Sequence, residues 1–428
     1  MSVWFMNWKR SFYIVLVAQM FTSMGFSLIF PFLPLYVKEL DTILELGTEI
    51  LSGLVFSSQA LAMALVSPVW GAIADRYGKK PMVVRAMVGG AITVLLMGFV
   101  KTVEQLIFLR ICQGLLSGVI SATSALTASF APKEKSGFVM GSLQVAVWSG
   151  VAMGPFIGGI LADISGIRTT FVITGILLFL SGASVLFCVN EKEDGTLKER
   201  KKKANLFSEW KKLFTRKKVL IVYVLRFLSS MANNMLYPVL PFFLAALVGP
   251  QEENIGTLTG SVIGVISVSG IVGGILMART SDQIGHKRVV ILASVTTALF
   301  FISQGLVGKM WEFVLLSLIT GLCSGALTPS LSALLVQNSD RGTEGSIYGF
   351  DNSIVAAGRA VAPIAGSFFA VQLSYKFTFI ATGLVFLVMA LIACSLPRKN
   401  EYGKSVPFSD RDNAWSDQAS DSIRYHNL

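Results

Sequence analysis

Charge is what this sequence has least of. Only 14% of its 428 residues are Asp, Glu, Lys or Arg, and 53% are hydrophobic, whereas a soluble globular chain carries about 25% charged residues. A chain so poor in charge cannot hide its apolar surface in one water-soluble core. Histidine is scarcer still: His286 and His426 are the only two, and neither stands near a cysteine. The four cysteines, Cys112, Cys188, Cys323 and Cys394, form no CxxC pair and fall within or at the ends of apolar segments, where a thiol packs as a small hydrophobe. Zinc and haem ligation find no donor set, and no metal is expected. There is no GxxxxGK[ST] loop to cradle a nucleotide, and no triad that would mark an enzyme. No bound cofactor is expected.

Long apolar runs are what the chain has in quantity. Hydropathy and breakers predict spans near 11–37, 49–74, 82–100, 104–127, 138–163 and 168–189, then 219–248, 256–279, 288–307, 311–336, 344–370 and 375–396. Crossing a bilayer takes ~20 residues, and the longer spans imply tilt or bending. The expected fold is therefore an all-α polytopic membrane protein of twelve transmembrane helices. Lys9 and Arg10 precede the first run, and no small-residue cleavage site follows, so that run reads as a retained span.

The net charge of +11 is distributed unevenly. The connectors on one side hold only Lys38, Lys101, Arg168, Lys309 and Lys376. Arg110, Arg226 and Arg359 lie inside spans. With those five and three set aside, 28 of the 36 Lys and Arg residues fall on the side of the termini. That asymmetry places both termini in the cytoplasm and accounts for the positive charge without nucleic acid.

The two halves echo each other. "PFLP" at Pro31 returns as "PVLP" at Pro238, and Asp75, Gly78 and Lys80 return as Asp282, Gly285 and Lys287, all at an offset of 207. "GLLSG" at Gly114 returns as "GLCSG" at Gly321. The organisation expected is a six-helix bundle over 1–189, a basic linker over 190–218, a second six-helix bundle over 219–396 and a disordered polar tail over 397–428. Such a repeat is the plan of carriers that rock two halves about a site near the bilayer midplane. The linker puts Leu206, Phe207, Trp210, Leu213 and Phe214 on one helical face among eleven Lys/Arg. It reads as a segment lying on the inner leaflet, with a solvated tether as the alternative.

Four motifs resemble the major facilitator superfamily, in its twelve-span drug:proton antiporter branch. "GAIADRYGKKP" resembles the loop signature between spans 2 and 3. "LIFLRICQG" resembles the span 4 signature, "GVAMGPFIGG" that of span 5, and "GFSLIFPFLP" that of span 1 in drug exporters. The resemblance covers roughly residues 8–396. It implies proton-coupled export of small amphipathic compounds, antibiotics included, by alternating access, in an inner-membrane protein expected to be a monomer. It also implies a conformational latch at Gly71, Asp75, Arg76, Gly78, Lys79, Lys80 and, in an eroded second copy, Asp282. In span 5, Gly150, Gly154, Gly158 and Gly159 offer a bare face for a neighbouring helix, and Pro155 bends the span.

Ionisable groups inside a span are costly, about 2.5–3.5 kcal/mol at the centre on insertion scales, and mark function by default. Here they are Arg110, Arg226, Arg359 and a single acid, Asp351. Asp351 is the leading proton-site candidate, with Arg110 and Arg359 as partners in coupling. A structural ion pair is the alternative role for Asp351. The substrate path is read as Gln19 in span 1, Arg110, Gln113 and Ser117 in span 4, Arg226, Asn233, Asn234 and Tyr237 in span 7, and Thr320 and Ser324 in span 10. Spans 1 and 7 lack the carboxylate that many cation exporters carry, so neutral, zwitterionic or anionic amphiphiles are favoured over lipophilic cations. A dedicated metabolite exporter remains the second reading, and a non-transporting receptor on the same fold the third.

Overall fold

The computed structural model describes residues 2–132, 135–189, 217–249, 253–337 and 344–396. The linker face at 206–214 and the tail 397–428 lie outside them, as do the surroundings of Gly71 and the side chains of Asp75, Arg76 and Asp282. The described chain is almost wholly α-helical. In order, the helices are α1 (Ser2–Leu28), α2 (Leu33–Glu39), α3 (Thr48–Tyr77), α4 (Lys79–Met97), α5 (Val103–Leu116), α6 (Val119–Phe130), α7 (Ser136–Ser165) and α8 (Ile167–Cys188). Then come α9 (Lys217–Asn234), α10 (Leu240–Val248), α11 (Ile255–Ile284), α12 (His286–Leu306), α13 (Met310–Gly325), α14 (Leu327–Gln337), α15 (Glu344–Gln372) and α16 (Tyr375–Cys394).

Eleven helical segments among the described residues are long and apolar enough to cross a membrane. The chain is therefore a multi-pass membrane protein. Many large side chains, such as Phe187, Leu306 and Leu391, stay exposed on its outer surface, as they would against lipid. All four cysteines are unpaired.

The internal repeat is visible in the helix boundaries. Helices α3 and α11 begin and end 207 residues apart, each thirty residues long. Each runs into the next helix through one glycine, Gly78 (φ 95) and Gly285 (φ 91). Only glycine takes that backbone conformation without strain, so the single-residue corner needs it in both copies.

Four spans that read as continuous from the sequence are interrupted. Span 1 breaks between α1 and α2 and span 7 between α9 and α10, where Pro31, Pro34, Pro238 and Pro241 remove amide donors. Span 4 breaks at Ser117–Gly118, with Gly118 at φ 105. Span 10 breaks at Ala326, with Pro329 in the first turn of α14. Hydropathy does not fall across the breaks in spans 4 and 10, so it gives no sign of them. Non-helical backbone at membrane depth persists only where protein or water satisfies it.

Candidate functional site

The helices meet tightly at one end, which carries the connectors at Thr102, Gly166 and Gly249. There α3 packs on α15 and α7 on α11. Tyr375 donates its hydroxyl to Glu49 at 2.6 Å. A Cβ on Gly53 would sit 2.9 Å from the Pro363 carbonyl. Asp163 accepts from the backbone N–H groups of Gly256 (3.2 Å) and Thr257 (2.6 Å) at the start of α11. A carboxylate there satisfies orphan amides and meets the positive end of the helix dipole. The other end carries the glycine corners Gly78 and Gly285.

The small-residue face of α7 serves two neighbours. A Cβ on Gly150, Gly154 or Gly158 would run into the α1 backbone at Met20, Met24 and Leu28, and Ser27 Oγ donates to the Gly150 carbonyl at 3.3 Å. Gly159 instead abuts the Gly256 carbonyl of α11, and the Pro155 carbonyl abuts Gly260. One helix thus seals against α1 and also closes the tight end. Gly158→Ala forces α1 and α7 apart. It should lower stability by about 1–3 kcal/mol, the scale of overpacking, read as a lower midpoint in a thermal aggregation assay.

Asp351 is 3% exposed and lies against Arg226, not Arg359. Arg226 donates Nε to Oδ1 at 2.8 Å and Nη2 to Oδ2 at 2.5 Å, a two-pronged pair that fixes both planes. Ser230 donates to the Val355 carbonyl at 2.7 Å one turn further on, and Tyr223 and Phe350 meet edge to face at 4.9 Å nearby. The pair thus ties α9 to α15. Arg359 is eight residues from Asp351, about 12 Å along the helix axis, beyond contact. Its side chain is exposed.

Arg110 is buried, and among the described residues no carboxylate pairs with it. Its Nη1 donates to Gln59 (2.8 Å) and Gln113 (2.9 Å), and its guanidinium lies 5.7 Å from the Phe56 ring centre. Among the described residues its Nε and Nη2, and Nε2 of Gln113, meet no hydrogen-bond partner. A buried donor left unpaired costs about 1–3 kcal/mol. Beside it, Phe30, Phe56 and Tyr237 form an aromatic group with ring centres 5.2–6.3 Å apart. Tyr237 comes from the second repeat and the two phenylalanines from the first. Tyr237 is a residue that the sequence singles out; Phe30 and Phe56 are not.

The remaining candidates are dispersed. Gln19 is 1% exposed and donates to Ser23 at 3.0 Å. Thr320 is buried and accepts from Gln304 of α12 at 2.8 Å. Asn233 and Asn234 donate to carbonyls one turn back, and Ser117 and Ser324 do the same within their own turns. Arg85, at the end of the charged connector, stacks 3.3 Å from the Trp70 ring centre and donates to the Ser117 carbonyl at 3.1 Å. It therefore supplies a partner to the break in span 4. In the second copy, Lys287 donates to the Cys394 carbonyl at 2.8 Å, closing the C-terminus of α16. Among the described residues no group of His, Cys, Asp and Glu could hold a metal ion.

The Major Facilitator Superfamily family model matches residues 15–249 and 222–420. Multidrug resistance protein MdtG of Enterobacter lignolyticus (strain SCF1) is 33% identical over 385 residues, covering 90% of this chain and 91% of its own. MdtG of Salmonella paratyphi A (strain ATCC 9150 / SARB42) is 32% identical over 393 residues, covering 92% and 96%. Among solved structures, the nucleoside transporter NupG superposes with a TM-score of 0.74 at 14% identity, over 90% of this chain and 100% of that one. The human organic anion transporter MFSD10 (TETRAN) superposes at 0.62 and 15%, over 90% and 99%. At such identities the likeness is one of fold.

Proposed function

Because this chain belongs to the major facilitator superfamily, in its multidrug-resistance branch, and is thus a secondary transporter rather than an enzyme, we propose that it exports small amphipathic compounds in exchange for protons. The observation that carries this reading is the closure of the two halves on each other at one end. The helix pairs α3–α15 and α7–α11 are clasped by Glu49, Tyr375 and Asp163 at one end. The Lys/Arg-rich end is the cytoplasmic one by the positive-inside rule, so the clasped end faces outward and this is the inward-facing state. On this reading the broken helix α9–α10 is a twelfth crossing. The chain is two six-helix bundles, 1–189 and 219–396, in the cytoplasmic membrane, working as a monomer with both termini inside.

Asp351 and Arg226 form the proton switch. While paired, they tie α9 to α15 through two hydrogen bonds. On this proposal, movement of α15 against α9 in the outward-facing state opens the pair, and Asp351 is the group that carries the proton. One proton entering down ~100 mV and one pH unit supplies about 2.3 plus 1.4 kcal/mol, enough for a several-hundred-fold gradient of a neutral solute. To the latch residues Gly71, Asp75, Arg76, Gly78, Lys79, Lys80 and Asp282 we assign the role of holding the opposite state.

In inside-out vesicles, acidifying the lumen should drive accumulation of an amphipathic dye, and a protonophore should collapse it. Accumulation that ignores the protonophore contradicts the proposal. Saturable transport of one solute class alone would instead favour a dedicated metabolite exporter.

A further inference from the structure

Trp8 and Ser136 each begin a membrane-crossing segment, the first on α1 and the second on α7. The residues around them therefore stand at the depth of lipid head groups, where tryptophan and tyrosine collect. There the two helices form a cup of about 300 Å³ lined by Trp8, Lys9, Phe12, Tyr13, Lys135 and Phe138. Between ring centres, Phe12 lies 6.4 Å from Trp8 and 6.3 Å from Phe138, and the Lys135 ammonium lies 5.8 Å from the Trp8 ring. Trp8 is 6% exposed, and among the described residues its indole N–H meets no hydrogen-bond partner. The lining thus offers two ammonium groups and an indole N–H, and no carboxylate stands among the residues described there. Helix α7 adds to this polarity. Lys135 is its N-cap and supplies no side-chain cap, and the first turn holds no acid to meet the positive end of the helix dipole. Together these features favour an anion with oxygen acceptors.

Phe138 also lines a second groove, of about 500 Å³, between the same two helices. Its other walls are Leu16 and Met20 of α1 and Val145 and Ala146 of α7, and Ser142 and Ser149 are its only polar side chains among the described residues. Gly137 and Gly141 leave open space along α7: a methyl group placed on either would meet nothing within 4 Å. Phe138 and Val145 are each at least three-fifths exposed, so the groove is open along its side. A free phosphate would match the cup and leave the groove empty. A phospholipid with an anionic head matches both at once. We infer that α1 and α7 hold an anionic phospholipid of the leaflet on the Lys/Arg-rich side. Its phosphate lies among Lys9, Lys135 and the Trp8 indole, and one acyl chain lies in the groove against Gly137 and Gly141. The site joins two helices that already pack on each other, and it is independent of the transported solute.

The test is displacement of a fluorescent phosphatidylglycerol from the full chain in neutral maltoside micelles. Unlabelled phosphatidylglycerol should compete about tenfold or more better than phosphatidylcholine with the same chains, the scale of one or two lysines facing an anionic head. Glycerol 3-phosphate, the head without its chains, should not compete. Lys9→Gln with Lys135→Gln should erase the preference for the anionic head, and Lys9→Arg with Lys135→Arg should keep it. Lys309→Gln, at the opposite end of the molecule, should change nothing. Gly141→Phe, which fills the groove, should weaken both lipids together. No preference in the native chain, or a preference that survives the double Gln variant, overturns the inference. So does full competition by glycerol 3-phosphate, which would make the cup a site for free phosphate. Undiminished lipid binding in Gly141→Phe overturns it as well, because the acyl chain would then lie elsewhere.

Discussion

Asp351→Asn should abolish gradient-driven export while leaving gradient-free exchange of substrate across the membrane. Asparagine keeps the shape of the side chain but cannot take or release a proton. Exchange needs the halves to rock but does not need net proton movement, so it separates coupling from folding. The substitution also leaves the Arg226 guanidinium buried without its anion. Breaking one side of a buried pair costs about 3–5 kcal/mol, and the 13% exposure of Arg226 places the expected loss at the low end. Arg226→Gln combined with Asp351→Asn removes both charges. It should recover most of the stability and none of the coupling, which is the signature of a pair acting as a switch and not only as a brace. Full coupling in Asp351→Asn would reduce the pair to the structural role.

A disulfide across the tight end should stop transport almost completely and reversibly. A Cβ at Gly53 would lie 3.1 Å from Ser367 Cβ, within a few tenths of an ångström of the roughly 3.5–4.5 Å that a disulfide spans. Gly53→Cys with Ser367→Cys should therefore oxidise readily in this conformation and hold α3 on α15. Flux should fall more than about tenfold and return with reductant, because a carrier that alternates cannot work with one gate locked. Undiminished flux in the oxidised protein would mean that this end does not open.

The architecture was legible because the repeat is strong. The offset of 207 found in short motifs reappears in helix boundaries that no motif touches, such as Val103 and Met310. The glycines of α7 could be read as a packing face, but not as two faces. That Gly158 meets α1 and Gly159 meets α11 depends on which helices adjoin, and periodicity carries no such information. The same limit applies to Asp351. Spacing put Arg359 on its helix, but the partner that touches it, Arg226, comes from 125 residues away. The aromatic group of Phe30, Phe56 and Tyr237 was invisible as a group for another reason. In a chain with 30 phenylalanines, no single ring stands out until three from different spans converge.

The most direct test of proton antiport uses no imposed gradient. Proteoliposomes containing the chain, a pH-sensitive dye and a high internal concentration of substrate are diluted into substrate-free buffer. Outward movement of substrate should pull protons in and acidify the lumen, and the signal should vanish in Asp351→Asn. Substrate efflux with no change in internal pH, or with alkalinisation, would contradict the account.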